Sequence, residues 1–137
     1  MADPTLSGFH HATLNVHDVE RSQQWYQQVL GFVRIASYES DTFARVIMVH
    51  PDSGIVLGLN RHQDPVAAQA FSELRAGLDH LAFGVPDREA LDHWAACFDE
   101  HNVPHSEVKP GAMPGAFLVT SRDPDNIQLE IFATTTP

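Results

Sequence analysis

The chain has 137 residues, of which 43% are hydrophobic and 19% charged, a balance typical of one globular domain and unlike that of a disordered chain. Its 8 basic and 18 acidic residues give a formal net charge of −10, which argues against nucleic acid or an anionic membrane as a partner. A single cysteine, the lack of a signal-peptide core and the lack of a long apolar run predict a cytoplasmic protein.

The first predicted elements are a strand over about 9–16 and a helix over about 19–29. Side chains alternate across a strand, so His11, Thr13 and Asn15 share one face. Asp18 is a good N-cap for the helix, and Gly31 is a good residue to end it. Three further strands are predicted after this helix, over 32–38, 43–50 and 55–60.

The second half begins after a predicted connecting helix, within about 64–76, that has Pro65 at its first position. It then repeats the order of the first half. A strand carries His80, Asp87 caps a helix over about 88–101, and three strands are predicted over 105–108, 116–121 and 127–132.

The two halves also align residue by residue. Without a gap, His11 aligns with His80, and Trp25 aligns with Trp94. The secondary-structure signals recur in the same order, so an internal repeat explains these identities better than chance does.

Three residues form a candidate metal site. His11 and His80 occupy equivalent positions, each on the less apolar face of its strand, and Glu130 lies in the middle of the apolar last strand. A buried carboxylate is costly without a cation or hydrogen-bond donors. Two histidines and a carboxylate are a standard ligand set for a divalent ion, although a strand histidine taken alone is more often simply packed or hydrogen-bonded.

The chain resembles the vicinal oxygen chelate superfamily, which includes glyoxalases, bleomycin-resistance proteins, fosfomycin-resistance enzymes and extradiol dioxygenases. The resemblance covers about residues 9–133. It is carried by HATLNVHDVERS at 11–22, WY at 25–26, LGF at 30–32, DHLAFGV at 79–85, DPDN at 123–126 and LEI at 129–131.

This resemblance implies an α+β fold in which two βαβββ modules form a curved mixed β-sheet around a pocket. The whole chain would be one glyoxalase-like domain, with modules at about 8–62 and 78–133, and the protein is expected to be a homodimer. The implied cofactor is a divalent ion (Ni, Mn, Zn or Fe) held by His11, His80 and Glu130, and Glu130 is also the candidate catalytic residue.

A small-molecule substrate is expected in the pocket. The predicted lining residues are Thr13, Asn15, Met48, Met113 and Phe117.

The chain departs from the family pattern at Gly58, where the four-ligand members carry a glutamate. Segment 109–117 lacks the histidine and tyrosine of the dioxygenases, and it also lacks the serine-rich, basic segment of the fosfomycin-resistance enzymes.

Three functions remain open. The favoured one is a metal-dependent lyase or isomerase that coordinates two adjacent substrate oxygens. The alternatives are an antibiotic-binding protein without catalysis, of the bleomycin-resistance kind, and an Fe(II) extradiol-type dioxygenase.

Overall fold

The computed structural model describes residues 2–134, and the chain divides into two compact units, with the boundary between residues 67 and 68. Each unit contains one helix and one four-stranded mixed sheet. The order strand, helix and three strands occurs in both units, so the predicted α+β class and βαβββ pattern are confirmed.

The first unit contains β1 (Ala12–Asn15), α1 (Val19–Leu30), β2 (Val33–Glu39), β3 (Phe43–Val49) and β4 (Val56–His62). The strands lie in the order β1-β4-β3-β2, with β1 parallel to β4 and the other pairs antiparallel.

The predicted helix signals of the first unit are confirmed. The side chain of Asp18 accepts a hydrogen bond from the backbone N–H of Arg21 at 3.0 Å, and Gly31 ends α1 with a left-handed φ of 83°. One face of the sheet packs against α1 through its buried apolar side chains. The opposite face, which carries the exposed Thr13 and Asn15, is called the open face. The buried residues on the α1 side are Leu14, Val46, Met48, Leu57 and Leu59.

The second unit contains β5 (His80–Val85), α2 (Arg88–Glu100), β6 (Lys109–Pro110), β7 (Ala116–Arg122) and β8 (Gln128–Thr134). Their order is β5-β8-β7-β6, with β5 parallel to β8. The side chain of Asp87 caps α2 as predicted, by accepting a hydrogen bond from the Ala90 N–H at 2.9 Å.

Two predicted elements differ from the structure. The connecting helix of 64–76 is reduced to a single 3₁₀ turn, Pro65–Ala68, because none of its residues is buried and no packed face offsets the cost of helix nucleation. The strand expected at 105–108 is reduced to one antiparallel bridge between His105 and Ser121, and the strand itself lies at Lys109–Pro110. Ser106 explains this shift, since its hydroxyl takes the place of a backbone carbonyl and accepts the Thr120 N–H at 2.9 Å.

No helix within residues 2–134 combines the length and the apolar character needed to span a membrane.

Gly58 lies on β4 directly beside Thr13 of β1. It pairs with Thr13 in the parallel register, and a Cβ atom added to Gly58 would lie only 2.6 Å from Thr13 Oγ1 and 3.2 Å from Thr13 Cβ. Thr13 therefore occupies the space that any side chain at position 58 would need.

Gly58→Ala is expected to lower the free energy of unfolding by about 1–3 kcal/mol, the usual cost of overpacking. Gly84→Ala is the matched control, because Gly84 lies on the equivalent face of the second unit and a Cβ there meets no atom within 4 Å. Urea denaturation measures both variants. Equal stability of the two variants would contradict the packing argument, and Thr13→Gly should restore part of the loss.

His105 connects the end of α2 to the second sheet. Its Nε2 lies 2.9 Å from Asp99 Oδ1 and its Nδ1 lies 2.6 Å from the carbonyl oxygen of Ser106. Both partners can only accept, so the ring is best satisfied when both nitrogens carry protons. The hydrogen bond to Asp99, followed by that to Ser106, raises the pKa of His105 above its usual range.

A raised pKa in the folded state means that this contribution to stability is fully present below the unfolded pKa of His105 and is lost as the pH rises through the folded pKa. We therefore expect Asp99→Asn to destabilise the protein by about 0.5 kcal/mol at pH 5 and by less at pH 9. Asp92→Asn, on the same helix, should show no such difference. Urea denaturation at both pH values measures this, and an equal loss at pH 5 and pH 9 would refute it.

Candidate functional site

Two of the three predicted metal ligands come together within the second unit. His80 is the first residue of β5, and Glu130 lies in the middle of the neighbouring strand β8. The parallel register places both side chains on the face of the sheet away from α2, with His80 Nε2 3.5 Å from Glu130 Oε2. This pair is the centre of the candidate site.

Glu130 is a buried carboxylate, with only 9% of the residue exposed. Its Oε1 accepts a hydrogen bond from Gln128 Nε2 at 3.2 Å, and its Oε2 lies toward His80. Burial of a carboxylate is costly unless donors or a positive charge compensate for it. The arrangement therefore places an anion next to an imidazole nitrogen that can bind a metal.

Asp79 orients the ring of His80. Asp79 Oδ1 lies 2.7 Å from His80 Nδ1, and this hydrogen bond is the largest of the effects that raise the pKa of His80. The carboxylate can only accept, so Nδ1 carries a proton. In the neutral ring the lone pair is then on Nε2, the atom that faces Glu130. In metal-binding histidines, the ring nitrogen that does not bind the metal commonly donates a hydrogen bond to a carboxylate.

A chain of side-chain hydrogen bonds supports Glu130 from the other direction. Arg122 Nη2 donates to Gln128 Oε1 at 3.2 Å, and Arg122 in turn forms a salt bridge of 3.0 Å with Glu73. An arginine has no acceptor, so it must face the oxygen of the Gln128 amide. The NH₂ group of Gln128 is thereby directed at Glu130.

His11 lies in the first unit, immediately before β1, and is exposed. Its Nδ1 lies 2.8 Å from Nδ1 of His10. His10 aligns with Asp79 in the internal repeat, so in both halves the residue before the matched histidine contacts that histidine's Nδ1. When His11 donates this hydrogen bond, its Nε2 is left with a free lone pair.

The His80–Glu130 geometry fits two ligands of one ion. Ligand bonds of about 2.0–2.2 Å, at angles between octahedral and tetrahedral values, separate two donor atoms by roughly 2.8–3.6 Å. The observed 3.5 Å is at the upper end of this range. Within residues 2–134, the structure contains no group of three or more His, Cys, Asp and Glu side chains that could hold a metal ion.

The predicted lining residues have different surroundings. Thr13 and Asn15 are exposed on the open face of the first sheet. Met113 lies in the turn before β7 and is 73% exposed.

Met48 and Phe117 lie on the helix-packed faces of their sheets. Met48 is 0% exposed, on the α1 side of the first sheet. Phe117 lies on the α2 side, where the guanidinium of Arg88 covers its ring at 5.2 Å. Neither side chain is available to a ligand on the open faces, so we leave both out of the lining that we propose.

Four residues around the His80–Glu130 pair were not predicted from the sequence: Asp79, Gln128, Arg122 and Glu73. Two of them carried a usable signal, since Asp79 directly precedes His80 and Gln128 shares the strand face of Glu130. The contact of Arg122 with Glu73 joins residues 49 positions apart, and no local pattern predicts it.

Comparison with known proteins identifies the family. Residues 8–131 match the model of the Glyoxalase/Bleomycin resistance protein/Dioxygenase superfamily. A glyoxylase/bleomycin resistance protein/dioxygenase domain from Frankia sp. EAN1pec has a similar structure, with a TM-score of 0.84 and 30% identity over 96% of this chain and 100% of that chain. The protein YwkD of Bacillus subtilis (strain 168) is 27% identical over 93% of this chain and 97% of its own length.

The fold is also shared with the fosfomycin resistance protein FosX of Listeria monocytogenes. One structure of FosX has a TM-score of 0.73 and 19% identity over 96% of this chain and 94% of that chain. In another structure a FosX mutant is complexed with Mn(II) and 1S,2S-dihydroxypropylphosphonic acid. Because the family model matches most of its length, the chain belongs to the glyoxalase/bleomycin resistance protein/dioxygenase superfamily.

Proposed function

We propose that this chain is a metal-dependent enzyme of the lyase or isomerase type, acting on a small molecule through two adjacent oxygen atoms. The observation that carries this proposal is the buried Glu130 carboxylate, with its Oε2 3.5 Å from His80 Nε2. A divalent cation suits this pair, because Glu130 supplies a buried carboxylate and the Nδ1 of His80 is already hydrogen-bonded, which leaves Nε2 for the metal.

The proposed ligands are His80 and Glu130 in the second unit, with His11 as the third. His11 is included because it is the repeat equivalent of His80 and because His10 contacts its Nδ1 as Asp79 contacts that of His80. Mn²⁺ is the first ion to test, since FosX has been complexed with Mn(II), and Ni, Zn and Fe follow.

A bound divalent ion would act as a Lewis acid that polarises the substrate oxygens. One carboxylate and two neutral imidazoles leave a net charge of about +1 on such an ion, which favours an anionic oxygen ligand from the substrate. Glu130 is the candidate for proton transfer. Asp79 is less suitable, because its Oδ1 is engaged by His80 and its side chain is 69% exposed.

The homodimer expected from the sequence is part of this proposal. So is the use of the two open sheet faces for substrate, with Thr13 and Asn15 on the first.

We expect protein purified without chelators to bind one divalent ion per chain, with Mn²⁺ affinity measured by calorimetry and metal content by elemental analysis. Glu130→Ala, His80→Ala and His11→Ala should each weaken binding by more than the roughly 10–100-fold typical of supporting residues. His93→Ala, on the exposed surface of α2, is the control and should bind normally.

Other outcomes of this experiment favour the alternative functions. If the protein binds no metal but binds a bulky antibiotic, the result would support an antibiotic-binding function instead of the enzyme. Oxygen uptake with a catechol in the presence of Fe(II) would support an extradiol dioxygenase instead.

The contacts of Gln128 make a second prediction. Gln128→Leu should weaken Mn²⁺ binding by about 10–100-fold, because Glu130 Oε1 loses its donor. Arg122→Met should weaken it less, and should have no further effect once Gln128 is Leu, since Arg122 acts through Gln128.

Arg88→Met is the matched control, because Arg88 lies on the opposite face of the same sheet, over Phe117. A purely structural role of Gln128 would lower the melting temperature of the metal-free protein and leave Mn²⁺ affinity unchanged. That result would contradict the prediction.

A further inference from the structure

The open face of the first sheet carries a cation that is held in one orientation. Arg45 lies on β3, in register with Asn60 on β4 and with Tyr38 on β2. Its Nε donates to Asn60 Oδ1 at 2.7 Å, and its guanidinium carbon lies 5.0 Å from the centroid of the Phe43 ring. These two contacts restrain the guanidinium group from two directions.

The outer edge of this guanidinium remains available. Nε is used by Asn60, which leaves the Nη1 and Nη2 groups, the fork that binds a carboxylate through two parallel hydrogen bonds. Arg45 forms no salt bridge within the part of the chain that the structure describes. Carboxylates are not scarce, since the chain has 18 acidic and 8 basic residues.

Aromatic rings flank the same position. The Tyr38 and His62 rings lie 5.5 Å and 6.0 Å from that of Phe43, measured between centroids. Tyr38 has a large aromatic ring and is nevertheless 59% exposed. Such rings offer flat faces against which a planar ligand can stack.

The internal repeat shows that this cluster is not a requirement of the fold. By strand register, Arg45 and Asn60 correspond to Leu118 and Phe132 in the second unit. The same row of the second sheet is therefore apolar, and the sheet forms without a cation there. The polar pair in the first unit calls for an explanation other than folding.

We propose that the open face of the first sheet binds the carboxylate of a small aromatic acid, with Arg45 as the clamp and Phe43, Tyr38 and His62 as the flanking wall. The planar carboxylate is chosen because it matches the free fork of Arg45. The aromatic body is chosen because the Phe43 ring lies 5.0 Å from the guanidinium carbon and the Tyr38 and His62 rings lie next to that of Phe43. Pre-ordering of Arg45 by Asn60 reduces the entropy lost on binding.

If the bound acid is the substrate, this inference rests on the proposed function and specifies the substrate class. Asn15, in register with Asn60, lies four residues beyond His11, or about 13 Å along an extended strand. The carboxylate would then be at the end of the substrate remote from the oxygens at the metal. The clamp itself depends only on contacts within the first unit.

Binding is tested by titrating isotope-labelled protein with benzoate and with benzamide, its neutral analogue of the same shape, and following the NMR signals of Arg45, Phe43 and Tyr38. We expect benzoate to shift these signals and to bind at least about ten-fold more tightly than benzamide, since only the anion forms charge-assisted hydrogen bonds. Arg45→Met should reduce benzoate affinity by at least about ten-fold, and Asn60→Leu by less.

Arg61→Met is the matched control, because Arg61 is the next residue on β4 and points to the opposite face with the same charge. Equal affinity for benzoate and benzamide, or equal losses in Arg45→Met and Arg61→Met, would overturn the proposal. Glu130→Ala should keep full benzoate affinity, so failure of the metal site and failure of the clamp give different results.

Discussion

The burial of the Glu130 carboxylate is the constraint on which the candidate site depends. A carboxylate in the middle of an apolar strand destabilises the fold unless its charge is compensated. In the second unit Gln128 donates a hydrogen bond to one oxygen, and His80 Nε2 lies 3.5 Å from the other, where a proton on the ring or a shared cation would supply the positive charge. Further partners then hold those two residues, Arg122 with Glu73 on one side and Asp79 on the other. The polar network is therefore organised around a single buried anion.

The first unit shows what the same fold contains when that anion is absent. Gly58 stands at the position equivalent to Glu130, and Thr13 occupies the space above it. In the row where the second sheet pairs Arg122 with Gln128, the first sheet pairs Val49 with Val56. The supporting residues are present in the half that has a carboxylate to support, and apolar residues replace them in the half that lacks it.

The sequence predicted those features that depend on local chemistry. Asp18, Gly31 and Asp87 fixed the helix ends, because caps act within one turn. The predictions of a connecting helix and of a strand at 105–108 were wrong. Whether a marginal helix forms depends on tertiary packing. So does the replacement of a backbone acceptor by the Ser106 hydroxyl. In the site, the alternation of side chains along the strands correctly predicted the sheet faces of Thr13 and Glu130. The Arg122–Glu73 contact joins segments that no local pattern relates.

Arg122 and Arg45, which lie on the faces of their sheets away from the helices, have different roles. Arg122 forms a salt bridge with Glu73, which neutralises its charge within the protein, and it donates a further hydrogen bond to Gln128. Its role is therefore to orient the Gln128 side chain. Arg45 is tethered only by the neutral Asn60 and by an aromatic ring, so its charge is not neutralised by either contact. In a protein with a net charge of −10, a fixed and unneutralised guanidinium offers an anionic ligand a local attraction that opposes the repulsion of the chain as a whole. The repeat has thus diverged so that one copy stabilises an internal anion and the other is suited to bind an external one.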